Sequence, residues 1–423
     1  MKVAERFDSS LGRILELVYE RRDLARHEIA DEVGLTRTTV SKVVSELIAK
    51  GLIAEGNRGQ ASPRGGPRPI PLTLNDHAVN FIGLDIRREK ITAAMINLGG
   101  AMQNVLVREM APDAATTDFA AAIESAVTEL KFRSAAPVVA IGVGSIGPVD
   151  AHAGVIRSTY FKQLECLPIV SELERRYDIP TALRVGSVMG AYGEACVAAA
   201  QAAVAPKSVA FIMVDYGGIG LGLISGGAAW LTDHGGVGEL GHVVVDLNGR
   251  QCACGRKGCL VEYASGRVLV KQLGYHGRNG ESEHSWLAQV AIDAESGDLR
   301  VQQAVLKAGE FLGCGIADID RLLRPERIVI GSSHEHLAEW YMRGIRTHLE
   351  ALPDSDSGPR LLDRLFLAAN GSAAIAYGAA AMQLKHCLRS PSRMLDQLGE
   401  IDSAPTTHHG QRRDDDIRKV LQV

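Results

Sequence analysis

Apolar residues at Leu11, Ile14, Leu15, Leu17, Val18 and Leu24 recur at helical spacing with charged residues between them, which predicts an amphipathic first helix. A short helix around His27 to Val33 follows, Gly34-Leu35-Thr36 interrupts it, and Thr36 is placed to cap a longer helix. On that longer helix Val40, Val43, Val44, Leu47 and Ile48 form one inward face. Two short helices joined through such a turn make a helix-turn-helix. The run LIAEGNRGQASPRGGPRPIPLTLN then reads as the two strands and tip of a wing.

Beyond the wing the period changes. VNFIGLDI, KITAAMINL and QNVLVREM are short β-rich runs, followed by a helical stretch from Phe119 to Phe132, a strand VVAIGVGSI and a helix from Ile169 to Tyr177. Near Ser208 the order repeats with SVAFIMVD, GLGLISGG and an apolar strand around Val243 to Asp246, then helices, RIVIGSS and a last helical run from Ala373 to Leu384. Strand-rich starts followed by helices, occurring twice, predict an α/β body of two related lobes with a cleft between them. The organisation expected is a winged helix-turn-helix over 1–75, a two-lobed body over 76–388 with lobes of about 76–200 and 201–388, and a polar, mobile tail over 389–423.

Composition narrows the class. No run among the 423 residues approaches the roughly 20 apolar positions that span a bilayer, and MKVAERFDSSLGR lacks a signal-peptide core. A cytoplasmic protein with reduced cysteines and no membrane partner is the expectation. Net charge is only −4, yet residues 1–70 carry 12 Lys and Arg against 10 Asp and Glu. Thr36, Arg37, Thr38, Thr39, Ser41 and Lys42 lie near the exposed start of the second helix, where side chains reach phosphates and base edges in a major groove. Arg58, Arg64 and Arg68 on the wing are placed to meet the DNA backbone or a minor groove. A plain three-helix bundle would need none of this, and turn, polar helix face and basic wing together point to double-stranded DNA.

Within Gly238–Ser265, GELGHVVVDLNGRQCACGRKGCLVEYAS, three of seven cysteines fall in eight residues: Cys252, Cys254 and Cys259. Gly255 and Gly258 permit tight turns between them, and His242 lies ten residues upstream of Cys252. Three thiols and an imidazole form a closed tetrahedral set for one structural zinc. Redox cysteines and buried apolar cysteines are the alternatives, and Arg250, Gln251, Arg256 and Lys257 alongside argue against the second. Cys166, Cys196, Cys314 and Cys387 stand singly and read as core residues.

These features together resemble the ROK family of repressors, open reading frames and sugar kinases. GELGH followed by CxCGxxGC is similar to the family's zinc-loop signature, while RLLRPERIVIGSS and AIAYGAAAM resemble its C-terminal lobe. The resemblance implies an actin-like, two-lobed fold, zinc on His242, Cys252, Cys254 and Cys259, and a sugar site shaped partly by Glu239 and His242. It does not extend to the kinase chemistry. Where family kinases carry DxGGTK this chain has Asp85, Ile86, Arg87, Arg88, Glu89 and Lys90, and the glycine loop Tyr216–Gly222 lacks its hydroxyl. The Asn-Asp pair that holds the catalytic base corresponds to Val185 and Gly186, neither of which accepts a proton. A second sugar carboxylate is replaced by Val261, with Glu262 one place late and, on a strand, facing the wrong way. The reading that follows is a homodimeric or dimer-of-dimers transcriptional regulator, a repressor of carbohydrate-related genes controlled by a sugar-like effector, and not an enzyme. A sugar kinase with an added DNA-binding domain and a cysteine redox sensor are its rivals.

Overall fold

Leu11, Ile14, Leu15 and Val18 are fully or almost fully buried along one stripe of helix α1 (Val3–Glu20), as their spacing requires. This computed structural model describes residues 3–56, 70–111, 113–157, 162–165, 167–202, 204–231, 238–275, 283–352 and 360–403. The chain divides into two units, Met1–Asn75 with His386–Val423, and Asp76–Lys385.

In the first unit α1 ends at Glu20, short of the expected Leu24. Asp23 adopts a left-handed φ of 70°, and Leu24 enters strand β1 (Leu24–Ala25). Leu24 is buried all the same. It extends the apolar rhythm because it reaches the same core from a strand. Helix α2 (Arg26–Val33) opens with Glu28 accepting from the Ala25 N–H at 2.7 Å and closes on Gly34, whose φ of 65° suits glycine. Helix α3 (Arg37–Ala49) is capped by Thr36, whose hydroxyl accepts from the Thr39 N–H at 3.2 Å. Strands β2 (Ile53–Glu55) and β3 (Pro71–Leu74) complete an antiparallel sheet in the order β1-β3-β2. The wing tip, with Arg58, Arg64 and Arg68, lies outside the described residues.

The polar tail expected from 389 begins differently. Pro391 introduces a helix, Ser392–Ser403, which buries Met394 and Leu395, while Lys50 Nζ donates to the Leu395 carbonyl at 3.5 Å. Arg389 Nε pairs with Glu16 at 2.9 Å. Met394, Leu395, Leu398 and Ile401 recur at helical spacing in a stretch otherwise polar, and the first two are buried where the helix seats. Residues 404–423 lie outside the described residues.

The second unit holds two sheets. The first contains β4 (Asn80–Ile86), β5 (Lys90–Asn97), β6 (Met102–Glu109), β7 (Val138–Ser145) and β10 (Thr181–Val185), ordered β10-β7-β4-β5-β6, with a separate hairpin of β8 (Val149–Asp150) and β9 (Val155–Ile156). The second contains β11 (Ser208–Val214), β12 (Ile219–Ser225), β13 (Ala228–Ala229), β14 (Arg327–Ser332) and β15 (Leu365–Leu367), ordered β13-β12-β11-β14-β15. In each, the first strand pairs antiparallel with the next and parallel with a later one, which is the repetition the runs predicted. Buried aliphatic side chains make a core against one face of each sheet, and a third cluster of Met189, Phe211, Val329 and Ile375 packs the helices Gly186–Gln201 and Ala374–Arg389 against the second sheet. The expected strand at Val243 to Asp246 is absent. Val244 makes a single bridge to Cys259, and Ala228–Ala229 takes the third place in the sheet. The loop folds around its cysteines instead, leaving Val243 exposed and only Val245 packed on the core.

Candidate functional site

On α3 the apolar side Val40, Val43, Val44 and Leu47 is buried, and Arg37, Thr38, Lys42 and Ser45 are exposed on the other side, with Ser41 half-buried between them. Positions 37, 38, 41, 42 and 45 share one face at 3.6 residues per turn. Thr36 and Thr39 sit at its head, their hydroxyls 2.9 Å apart, and the cap that they form fixes the start of the helix. Ser45 extends this face one turn beyond the residues singled out in sequence. An open depression of 530 Å³, lined by Arg26, Ser45, Ile48, Ile53 and Glu55, lies beside it, with Arg26 and Glu55 paired at 2.8 Å. This hollow belongs to the winged unit and not to the cleft between the lobes.

The cysteine loop gathers its donors as the spacing predicted. The ligand atoms of His242, Cys252, Cys254 and Cys259 all lie within 4.8 Å of one another. Cys252 Sγ is 3.5 Å from His242 Nδ1, and Cys254 Sγ is 3.5 Å from Cys259 Sγ. Zinc bonds of about 2.3 Å to sulfur and about 2.0 Å to nitrogen place tetrahedral ligands about 3.5–3.8 Å apart, so the set fits such an ion. The turn that brings them together needs glycine at 258, where φ is 72° and a Cβ would stand 1.6 Å from the Asp246 carbonyl oxygen. Backbone bonds from Cys252 N to Arg256 O and from Gly258 N to Arg250 O, each 2.8 Å, close the loop. Hydrogen bonds from the Arg256 backbone and side chain pull the Cys254 thiol down to about 6, whereas burial pushes Cys259 up to about 12. A bound divalent cation would hold both as thiolates. With Nδ1 turned to the sulfurs, His242 presents Nε2 to Glu239 Oε2 at 3.4 Å. Glu239 thus contacts the imidazole while its own side chain is 68 % exposed.

The floor of the cleft carries a second cluster. Asp85 is the penultimate residue of β4 and Arg87 follows two residues on, 2 % and 3 % exposed, with Arg87 Nε donating to Asp85 Oδ2 at 2.7 Å. Arg87 Nη1 also pairs with Asp215, which follows β11 in the other lobe. Asp215 accepts further from Ser333 Oγ at 2.7 Å and from the Tyr216 N–H at 2.8 Å. Lys90 Nζ donates across to the Ser333 carbonyl at 3.2 Å. Burial raises the Asp85 carboxyl; it opposes ionisation of Asp215 too, but Arg87 and the Ser333 hydroxyl outweigh it and hold Asp215 below the usual range.

A ROK family model matches residues 81–386, and a Crp-like helix-turn-helix domain model matches residues 11–61. The chain belongs to the ROK family. It is 26 % identical to the xylose repressor of Bacillus spizizenii over 381 residues, 89 % of this chain and 94 % of that one. It is likewise 26 % identical over 328 residues to the N-acetylglucosamine repressor of Escherichia coli O157:H7, covering 75 % and 78 %. A ROK family transcriptional regulator described as a homolog of the E. coli MLC protein superposes with a TM-score of 0.72 at 21 % identity, over 92 % of this chain and 99 % of its own. A ROK family glucokinase from Streptomyces griseus reaches 0.59 at 24 % identity, over 72 % and 98 %; at these identities both likenesses speak for the fold alone.

Of the positions expected to be lost, Val185 caps the helix Gly186–Gln201, and a Cβ on Gly186 would lie 3.3 Å from Ile375 Cδ1 and 3.4 Å from the Ser145 carbonyl, a tight contact that a small shift of Ile375 would relieve. Glu262 stands on the helix Val261–Ala264, not on a strand as expected, so one residue turns it by about 100° and not to the opposite face. Its carboxylate is taken by Arg267 at 2.8 Å. No helix among the described residues is long and apolar enough to cross a membrane.

Proposed function

We propose that this chain is a DNA-binding transcriptional repressor whose ROK body takes a sugar or sugar derivative as its effector. The observation that carries the reading is α3: one side is wholly buried and the other presents Arg37, Thr38, Lys42 and Ser45 without apolar residues among them. A helix-turn-helix offers that side to the major groove. Repressors named for xylose and for N-acetylglucosamine among the relatives supply the effector class. Zinc is the metal that three thiolates and an imidazole select, one per chain, holding the His242 turn from which Glu239 meets a sugar hydroxyl. The body does not transfer phosphate, because Gly186 offers no base and Arg87 fills the floor. As a homodimer the protein would read a two-fold symmetric, A·T-rich operator with half-sites a whole number of helical turns apart.

Fragments captured from genomic DNA give the operator, and titrations on it test the face. Lys42→Ala weakens all sequences alike, whereas Arg37→Ala and Thr38→Ala change which bases are preferred, by about 1–3 kcal/mol at one position. Equal losses on every sequence from all three variants would sink the assignment. Glu239→Gln abolishes induction in a reporter strain and leaves the unliganded operator affinity unchanged. Hexose-dependent ATP turnover above that of a zinc-stripped sample would restore the kinase reading.

A further inference from the structure

Arg87 is an unusual residue to bury, since an isolated guanidinium in an apolar interior is strongly disfavoured unless it is paired and hydrogen-bonded. Its two anions come from different lobes, Asp85 at the end of β4 and Asp215 at the end of β11, 130 residues apart in sequence. A second bond runs beside it in the same sense, from Lys90 in lobe one to the Ser333 carbonyl in lobe two. Ser333 closes the circuit by donating to Asp215. The Arg87 N–H donates to the Lys90 carbonyl at 3.0 Å, so the two cations sit on one tight turn and act together.

The far side of the floor is tied to the cysteine loop. The Gly266 N–H donates to the Asp215 carbonyl at 3.0 Å and the Arg267 N–H to the Tyr216 carbonyl at 2.8 Å, from the helix that follows the loop. At the other end of the loop a Cβ on Gly241 would stand 3.1 Å from the Ile219 carbonyl oxygen, so the turn carrying Glu239 and His242 rests on the first residue of β12. The Asp215–Gly218 turn is thus flanked on one side by the helix that follows the loop and, at Ile219, by the turn that carries Glu239.

We propose that Arg87, with Asp85, Lys90, Asp215 and Ser333, forms an interlobe clasp that fills the floor of the cleft with the protein's own ion pairs, so that the lobes close on an uncharged polyol and exclude phosphate-bearing ligands. The guanidinium already meets two carboxylates, and a phosphate arriving there would face Asp85 and Asp215 at close range. The ligand class rests on the sugar-sensor reading above, whereas the clasp itself does not.

Two measurements on the full-length chain separate these claims. In a cycle of Arg87→Met, Asp215→Asn and the double variant, the losses in thermal midpoint are non-additive, the double variant falling no lower than the worse single one. Amide exchange in Arg87→Met rises by about tenfold or more both in the 85–90 turn and in the 215–218 turn. Additive losses, or exchange that changes in the 85–90 turn alone, would overturn the clasp. If Arg87→Met fails to fold, Arg87→Lys, which keeps the charge but not the fork, enters the same cycle. In the second measurement wild-type melts are taken with xylose, glucose and N-acetylglucosamine, and with glucose 6-phosphate and a non-hydrolysable magnesium–ATP analogue. At least one unphosphorylated sugar raises the midpoint and neither phosphate compound does. A phosphate-dependent rise that Arg87→Met removes would make Arg87 an anion ligand and end the proposal. No response to any sugar, with the cycle still non-additive, would end the sensor reading and leave the clasp standing.

Discussion

The cysteine loop and the cleft floor both bring polar groups from distant positions to one point, and they differ in whether the protein itself completes the set. In the loop, three thiols and an imidazole converge within 4.8 Å, with Arg256 against Cys254 alone, a set that could hold a metal ion. At the floor Asp85 meets Arg87, and Asp215 meets Arg87 and Ser333, while burial and the nearby Asp215 raise Glu89 on the same turn to about 8. Converging donors of one kind mark a ligand site, whereas matched donors and acceptors mark structure. The first set is open to a ligand that the chain does not supply, and the second is a strut of the chain's own side chains.

Removing a ligand from the loop is the strongest way to break that contrast. Cys254→Ser should release zinc and destabilise lobe two by several kcal/mol, because structural zinc sites contribute their binding energy to folding. Its effect should reach the floor, since Gly266 and Arg267, just after the loop, donate to the Asp215 and Tyr216 carbonyls. Elemental analysis and melting of both proteins check this. Wild-type protein purified without chelator and found free of zinc would remove the distinction between the two regions.

The loop was legible in sequence because its ligands and turn glycines lie within eighteen residues of one another. The helix-turn-helix was legible for the same reason: the cap at Thr36, the break at Gly34 and the inward valines are local signals. The clasp was not. Asp85 and Arg87, two apart at a strand end, point the same way, which is a detectable hint, but their partner Asp215 is reached only through the packing of the two lobes. From sequence alone, Arg87 and Lys90 registered as the loss of a phosphate cradle, with no sign of what replaced it. Glu262 was misplaced because the apolar residues flanking it suit a strand or a helix equally, and only the loop's geometry decides. The helix at Ser392 was overlooked because its helical spacing of Met394, Leu395, Leu398 and Ile401 is set between Pro391 and a strongly polar run.

Glu194 sharpens the comparison from the other side, as a carboxyl buried without a cation in contact. It lies on the helix that begins at Gly186, is 4 % exposed, and its Oε1 accepts from the Ala369 N–H at 2.9 Å. Burial raises it to about 7, against the opposing pull of that N–H and of Arg327. An acid raised in the folded state is stabilising in its protonated form, so its contribution is best below the unfolded value near 4.5 and is lost as pH rises through about 7. At about 1.4 kcal/mol per tenfold change in proton activity, the charged form costs on the order of 3 kcal/mol at pH 8. Glu194→Gln, which keeps the acceptor oxygen, should therefore melt higher than the wild type at pH 8 and close to it at pH 5. Equal midpoints at pH 8 would show that Glu194 is better solvated or better paired than its surroundings indicate.

The smallest effects test whether the floor's surviving glycines still serve a ligand. Gly222 in β12 packs against the start of the helix Gly186–Gln201: a Cβ there would stand 1.9 Å from the Ser187 carbonyl oxygen, and Ser187 Oγ donates to the neighbouring Leu221 carbonyl at 2.9 Å. Gly218, four residues earlier in the same glycine run, has no atom within 4 Å of such a Cβ and does not need a left-handed φ. The run therefore mixes a packing glycine with one that structure does not require. Gly222→Ala forces backbone apart and should cost about 1–3 kcal/mol, as overpacking generally does, while Gly218→Ala should stay within about 0.5 kcal/mol. Paired denaturant titrations of the two variants give the difference directly. Were Gly218→Ala to cost as much as Gly222→Ala, the turn beside Asp215 would carry a constraint of its own, and the floor could no longer be described as a strut assembled from matched side chains.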